Sequence, residues 1–254
     1  MKLQFYGLTD VGRKRDKNED SLLVDEELGI FMVADGMGGH LGGEYASQMA
    51  VKTVEEVLRR FHQDPAMVRE LSAKGHLTPG EELKYAIGLA SRRIFKEASR
   101  VQNLRGMGTT SVAIRMDAEK GYIANVGDSR AYLIRPPLIL QLTIDHSLVT
   151  EQLAAGFITE SEVKNHKLKN IITRSVGFQD EVEVDLVVRD LEEGDNFIIC
   201  SDGLTNMVSN KEIVRVVSKN KSRGPKVICE SLVQMANQKG GDDNVTVIFI
   251  AVIP

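Results

Sequence analysis

Cysteine and proline are scarce, at 2 and 6 residues in a chain of 254. So few thiols exclude a disulfide framework. Cys200, in an apolar run, and Cys229, in a helical pattern, are expected to be reduced, buried and packed as small hydrophobes. So few prolines, with no Ser/Gly-rich or low-complexity stretch and no repeat of solenoid period, leave no linker to divide the chain. Long apolar runs are missing as well. The N-terminal MKLQFYGLTD lacks the apolar core and cleavage site of a signal peptide. The C-terminal VTVIFIAVI is too short to span a bilayer and too rich in β-branched residues for a helix, so it reads as a buried strand. Charge of one sign is not in excess either: a net charge of -4 and a pI near 5.8 offer no global attraction to nucleic acid or anionic membrane. The expectation is one compact domain over residues 1–254, monomeric and cytoplasmic, with no nucleic acid and no membrane among its partners.

What is present is a mixture of strand and helix patterns. Alternating or continuous apolar runs predict strands near 3–9, 21–25, 29–34, 109–116, 120–127, 130–135, 183–189, 196–201 and 244–252. Ala46, Met49, Ala50, Thr53, Val54, Val57, Leu58 and Phe61 repeat at helical spacing, as do Leu83, Ile87, Ala90 and Ile94. Ile213, Val214 and Val217, followed by Ile228, Leu232 and Met235, predict a later helical pair. Paired helices set between groups of strands argue against a parallel doubly wound sheet and for two stacked antiparallel sheets with helices outside, an α+β fold.

Residues 30–44, IFMVADGMGGHLGGE, run apolar up to Asp35 and then supply Gly36, Gly38, Gly39, Gly42 and Gly43. Such a loop wraps a phosphate, a dinucleotide or a metal ion, or simply turns. No Walker A string occurs. GMGGHL, from Gly36, begins like a dinucleotide fingerprint but carries Leu41 at its sixth position and leads into an amphipathic helix. A cysteine phosphatase would need an arginine six residues after its cysteine, where Asn206 and Met235 stand. Further acids lie near other strand ends: Glu19 and Asp20 in KNEDS, Asp128 after YIANVG, Asp202 after NFIICS, and Asp242 and Asp243 before the last strand. Each alone is explained by a turn. Gathered at one edge of a sandwich, they would need a positive counterpart to remain ionised. With no histidine or cysteine at zinc spacing, an oxygen-only ligand set suits Mg²⁺ or Mn²⁺. Two such ions bridged by Asp35 would activate a water to hydrolyse phosphate esters.

The strings TDVGRKRDKNEDS, ADGMGGHLGGEYAS, GMGTTSV, ANVGDSRAYLI, LTIDHSLV, IITRSVG, CSDGL and DDNVTV, in that order, make the chain resemble the metal-dependent Ser/Thr protein phosphatases (PPM, or type 2C), in their compact bacterial form. The resemblance implies a four-layer αββα sandwich of two antiparallel sheets flanked by paired helices, with a flap at about 147–176. It implies that Asp35 bridges two Mn²⁺ or Mg²⁺ ions, that the Gly36 carbonyl binds one of them, and that Asp202 and Asp243 complete the first site. Glu19 and Asp20 would act largely through water on the ions. Asp128, shared with Asp202, is similar to the ligand of a weaker third ion; a salt bridge to Arg130 or a turn cap is its structural alternative. Arg15 corresponds to the arginine that holds the substrate phosphate, a bidentate task suited to guanidinium; its alternative is a solvated side chain beside Arg13 and Lys14.

Two departures stand out. Met37 follows Asp35-Gly36 where some eukaryotic relatives place a proton-donating histidine, so His40 does not inherit that role. The flap reads His166-Lys167-Leu168-Lys169-Asn170 in place of a His-Pro-x-Arg-Asn string, and its Lys164, Lys167, Lys169 and Arg174 either contact substrate or solvate a surface. His146 is expected to order its loop, with Asp145 or Ser147 capping the next helix. The implied activity is one-step hydrolysis of phosphoserine and phosphothreonine in proteins phosphorylated by a Ser/Thr kinase. A non-catalytic phosphoprotein-binding regulator and a small-metabolite phosphatase are the alternatives.

Overall fold

The computed structural model describes residues 2–39, 41–71, 76–163 and 166–254. Three strands open the chain, β1 (Lys2–Asp10), β2 (Asp20–Asp25) and β3 (Ile30–Met37), before helices α1 (Gly42–Gln63), α2 (Pro65–Leu71) and α3 (Pro79–Arg100). Then come β4 (Gly108–Thr109), β5 (Ser111–Met116), β6 (Lys120–Val126), β7 (Arg130–Arg135) and β8 (Leu138–Gln141), and the short helices α4 (Leu148–Ala154) and α5 (Glu160–Val163). Strands β9 (Asp185–Asp190) and β10 (Asn196–Cys200), helices α6 (Asp202–Thr205), α7 (Asn210–Asn220) and α8 (Pro225–Gln238), and β11 (Val245–Ile253) complete it.

The strands form two antiparallel sheets, ordered β1-β11-β10-β7-β8 and β2-β3-β5-β6-β9, with β4 paired to β3. Alternation along β3 shows why the strands read as continuous apolar runs. Ile30, Met32 and Ala34 face α1 and α3, whereas Phe31 and Val33 enter the space between the sheets, where they join Ile114, Phe197, Ile199, Ile248 and Ile250. On the far side, Tyr132, Ile198, Val247 and Phe249 pack against Ile213, Val217, Ile228 and Leu232 of α7 and α8. Both faces of each sheet are therefore covered, giving the expected αββα order. Thr78 and Glu81 form a capping box at the start of α3, Ser209 and Glu212 do the same for α7, and Glu82 of α3 pairs with Arg115 of β5.

Several elements depart from the sequence expectation. The strand predicted over 109–116 is divided at Thr110, whose N–H and hydroxyl both turn to the Asp35 backbone, donating to its O at 2.8 Å and accepting from its N at 2.9 Å. The edge strand β8 was not predicted; its Leu138 and Leu140 are exposed, so no buried run marks it. The short helices α2, α4, α5 and α6 carry too few turns to show a period. Cys200 and Cys229 are free and buried, and burial pushes both thiols up to about 12, as inert core residues require.

Candidate active site

Antiparallel pairing brings the acids together. Strand β2 begins where β3 ends, so Asp20 lies directly opposite Asp35 in the ladder. In the other sheet β10 ends where β11 begins, Cys200 opposite Val247, so Asp202 and Asp243 leave the same edge. Between them β6 ends at Val126 and turns through Gly127, whose φ of +104° and contact with Thr110, 2.7 Å from where a Cβ would stand, admit glycine alone. That turn delivers Asp128. At Gly36 the constraint is close approach: a Cβ there would stand 2.0 Å from the Gly43 carbonyl oxygen and 2.6 Å from that of Glu19.

Each carboxylate has a distinct setting. Asp20 is buried, and its Oδ2 accepts from Ser201 at 2.8 Å and Thr246 at 2.6 Å while its Oδ1 has no partner. Asp128 is buried too, and its Oδ1 is likewise without a donor. Asp202, half-buried at the start of α6, accepts from Asn206 Nδ2 at 2.9 Å. Asp243 accepts from Arg15 Nη2 at 2.8 Å. Glu19 is anchored through its backbone, its N–H donating to Asn244 Oδ1 at 2.8 Å. Asn244 also donates from Nδ2 to the Val11 and Lys17 carbonyls, both at 2.9 Å, and so clamps the loop that carries Arg15.

Electrostatics follow from this crowding. Burial, then repulsion from Asp20, Asp202, Asp128 and Asp243, holds the Asp35 carboxyl well above the usual carboxylate range. Burial also pushes Asp20 and Asp128 up to about 7, with Asp202 repelling both, and raises Asp202 and Glu19. Desolvation and like charge act in the same direction, and a divalent cation reverses both. The guanidinium groups nearest the cluster, those of Arg15 and Arg130, are each already engaged. Arg130 grips Asp145, Nε and Nη2 lying 2.9 and 2.5 Å from its carboxylate oxygens, so the salt bridge weighed for Asp128 is made by Asp145 instead. Among the described residues no group of three or more His, Cys, Asp or Glu side chains is already arranged as an ion's ligands. Asp243, Asp202 and Asp20 are turned to protein donors, which an ion would displace. The unpartnered oxygens, the surplus of negative charge and the all-oxygen donor set fit Mg²⁺ or Mn²⁺.

Arg15 lies at the rim with its side chain 53% exposed, beside a cavity of about 400 Å³ lined by Lys14, Lys17, Glu19, Gly38 and Asn244. A groove of similar size between α1 and α3 has Glu56 and Glu97 set among Lys52, Arg93, Lys96 and Arg100, so it carries no surplus of negative charge. Asp242 is exposed. His40 and Lys164 lie outside the described residues. Lys167 and Lys169 are exposed, but Arg174 does more than solvate a surface: its Nη1 donates to Asp185 Oδ1 at 2.7 Å. Ser147 caps α4, accepting from the Thr150 N–H at 3.4 Å, and His146 receives the Gly127 N–H on Nδ1 at 3.0 Å. The sequence reading missed the hydroxyls of Thr110, Ser201 and Thr246 and the amide of Asn206. The signal of Thr110, Ser201 and Thr246 lay in the strings GMGTTSV, CSDGL and DDNVTV, as polar residues where core residues belong, and Asn206 stands two residues beyond CSDGL.

The Protein phosphatase 2C family profile matches residues 12–223. The chain is similar to the serine/threonine phosphatase stp of Listeria monocytogenes, 39% identical over 249 residues covering 95% of this chain and 93% of that one. Its fold is similar to that of serine/threonine phosphatase Stp1 from Staphylococcus aureus, at TM-score 0.87 and 32% identity over 100% of this chain and 96% of that one. It is also similar to the catalytic domain of the serine/threonine protein phosphatase PstP in complex with two manganese ions, at TM-score 0.83 and 30% identity over 99% of both chains.

Proposed function

The chain belongs to the protein phosphatase 2C family and is a serine/threonine protein phosphatase; from that premise we propose that its acidic cleft hydrolyses phosphoserine and phosphothreonine by direct attack of water, with no covalent phosphoenzyme. The reading rests on Asp35, surrounded by Asp20, Asp128, Asp202 and Asp243 while Arg130 is held by Asp145 and Arg15 offsets one of these acids, Asp243. Asp35, the Gly36 carbonyl, Asp202 and Asp243 would hold an inner pair of ions, with Glu19 and Asp20 behind them. Asp128, with Asp202, would hold a weaker third. Bound there, Mn²⁺ or Mg²⁺ supplies a polarised nucleophile at neutral pH and neutralises charge on the phosphoryl oxygens. The manganese pair in the PstP structure supports this cofactor class.

The chain's own side chains divide the remaining work. Arg15 sits at the mouth of the site and exchanges its Asp243 contact for the substrate phosphate, which its fork can grip through two oxygens. Met37 carries no proton, so the leaving serine or threonine oxygen takes its proton from water oriented near Asp128. The segment 147–176 acts as the flap beside the cleft. Substrates are proteins phosphorylated by a Ser/Thr kinase. No helix among the described residues is long and apolar enough to cross a membrane, and the two free buried cysteines suit a reducing cytoplasm, where the chain acts as a monomer.

The test is phosphate release from a phosphothreonine peptide, with and without chelator and added Mn²⁺. Activity should vanish in chelator and return with the ion. Full turnover in excess chelator overturns the mechanism, and a higher kcat/KM on sugar phosphates would favour a metabolite phosphatase.

A further inference from the structure

We propose that His146 is a positioning residue: it holds the Gly127 amide and thereby fixes Asp128, and through Asp185 and Arg174 it ties that carboxylate to the seating of the flap. The inference rests on the reading of Asp128 as a working carboxylate of the cleft.

His146 and Gly127 are joined twice. The His146 N–H donates to the Gly127 carbonyl at 3.0 Å, and the Gly127 N–H donates to the ring Nδ1 at 3.0 Å. Asn125 Nδ2 adds a contact to the same carbonyl at 3.3 Å and one to Ile144 O at 3.0 Å. The residue immediately before Asp128 is thus held on both of its backbone polar groups, and the ring that holds it is buried, 7% exposed. Asp128 itself has no donor on Oδ1, so its aim depends on the backbone behind it.

The ring's tautomer follows from its partners. A backbone N–H can only donate, so Nδ1 is unprotonated and the neutral ring carries its proton on Nε2. That proton faces Asp185 Oδ2 at 3.3 Å. Arg174 Nη1 lies 3.1 Å from the same Nε2, but two donors cannot share a hydrogen bond. Arg174 instead donates to Asp185 Oδ1 at 2.7 Å and to the Glu183 carbonyl at 3.4 Å. Asp185 therefore links ring to guanidinium.

Arg174 belongs to the returning end of the flap segment. Beside it Thr173 N–H donates to the His146 carbonyl at 2.9 Å, and Leu148 N–H donates to Ile171 O at 2.9 Å, which closes 148–171 into a loop rooted at His146. Further on, Val176 exchanges two backbone bonds with Thr109, whose hydroxyl donates to the Asp35 carbonyl at 2.9 Å. The root of the flap is thus fastened beside two carboxylates of the cleft, and its His146 arm holds both backbone polar groups of the residue before Asp128. A flap that shifts its root moves Arg174 and Asp185 and releases the ring.

Two substitutions separate the arms. The asparagine amide places an oxygen near the Nδ1 position but does not reach Asp185, whereas glutamine reaches toward the Nε2 position and leaves the Gly127 N–H without its acceptor. The experiment measures amide exchange at Gly127, and kcat and KM on a phosphothreonine peptide, for His146→Asn, His146→Gln, Asp128→Asn and the His146→Gln/Asp128→Asn pair. We expect His146→Gln to speed Gly127 exchange at least about tenfold and to lower kcat about tenfold with KM little changed. His146→Asn, which keeps an acceptor for Gly127 but loses Asp185, should leave Gly127 exchange within about threefold of the parent and lower kcat only several-fold, the part owed to the flap tie. The double variant should lose nothing beyond Asp128→Asn, because positioning a carboxylate that is gone has no effect. Unchanged Gly127 exchange in His146→Gln, or a full additive loss in the double variant, overturns the inference. If Asp128→Asn keeps full turnover, the reading beneath it fails, and the exchange result tells the two failures apart. Should His146→Gln not fold, His146→Asn decides alone: loss of Gly127 protection there overturns the proposal.

Discussion

Asp35 has carboxylate neighbours on both sheets, and among the described residues no cation forms an ion pair with it. This sets two opposite expectations for Asp35→Asn. Without metal, replacing this carboxyl removes the cost of burying it and of placing it among Asp20, Asp202, Asp128 and Asp243, so the melting temperature in chelator should rise by a few degrees. With metal, kcat should fall by at least about 10²-fold, since an anionic bridge is lost. Parallel melts and turnover assays check both, and a variant that melts lower in chelator would show that Asp35 is held by contacts other than an ion. Arg15 makes a simpler case. Its contact with Asp243 is exposed and stabilises the fold little, so Arg15→Ala should leave the melting temperature nearly unchanged and raise KM for phosphopeptides. Lysine there should rescue only in part, for want of the fork. Unchanged KM in the alanine variant would make Arg15 a solvated loop residue.

At the scale of elements, the flap segment is held to the sandwich by few bonds, most of them at residues 171–176. Arg174→Ala removes the guanidinium that joins Asp185 to the Glu183 carbonyl. Turnover of phosphopeptides should fall several-fold, with a smaller effect on an activated aryl phosphate, whose leaving group needs less help and which reaches no further than the cleft. Equal losses on both substrates would place the effect in the chemical step instead of the flap. The turn at Gly36 makes the opposite kind of element, one with no slack. Gly36→Ala would drive a Cβ to 2.0 Å from the Gly43 oxygen, which the chain can relieve only by moving β3 and α1 apart. A loss of at least about 2 kcal/mol by urea unfolding is expected, together with loss of metal-dependent activity.

For the whole molecule, stability and function should separate between the layers. Ile250 lies wholly buried between the two sheets, so Ile250→Ala should cost about 2–5 kcal/mol while turnover per folded molecule stays close to the parent. Saturating Mn²⁺ should do the reverse of chelation for the folded state as a whole. An ion at about 100 times its dissociation constant adds about 2.7 kcal/mol by mass action, which raises the melting temperature by roughly 5–10 °C. A melting curve indifferent to Mn²⁺ would contradict an ion site in the cleft.

The sequence by itself determined the class of the fold and the inventory of the site. Strands buried on both faces leave unbroken apolar runs, paired helices leave 3.6-residue periods, and an acid that ends such a run is conspicuous, as at Asp35, Asp128 and Asp202. Periodicity is a local property, and local properties survive in a linear string. Short or exposed elements left no such mark, which is why β8 and α6 were not legible and α4 showed only through its cap at Ser147. Only the tertiary structure decided which acids face one another and what each holds. Asp20 meets Thr246 across 226 positions of chain, Arg15 meets Asp243 across 228, and Arg130 chooses Asp145 over its near neighbour Asp128. Those pairings follow from antiparallel register and from how the sheets stack, so a one-residue slip would exchange every partner without altering the pattern of apolar and polar residues. His146 shows the same limit: its neighbours in sequence mark a loop before a helix, and only the folded chain brings Gly127, Asp185 and Arg174 to its ring.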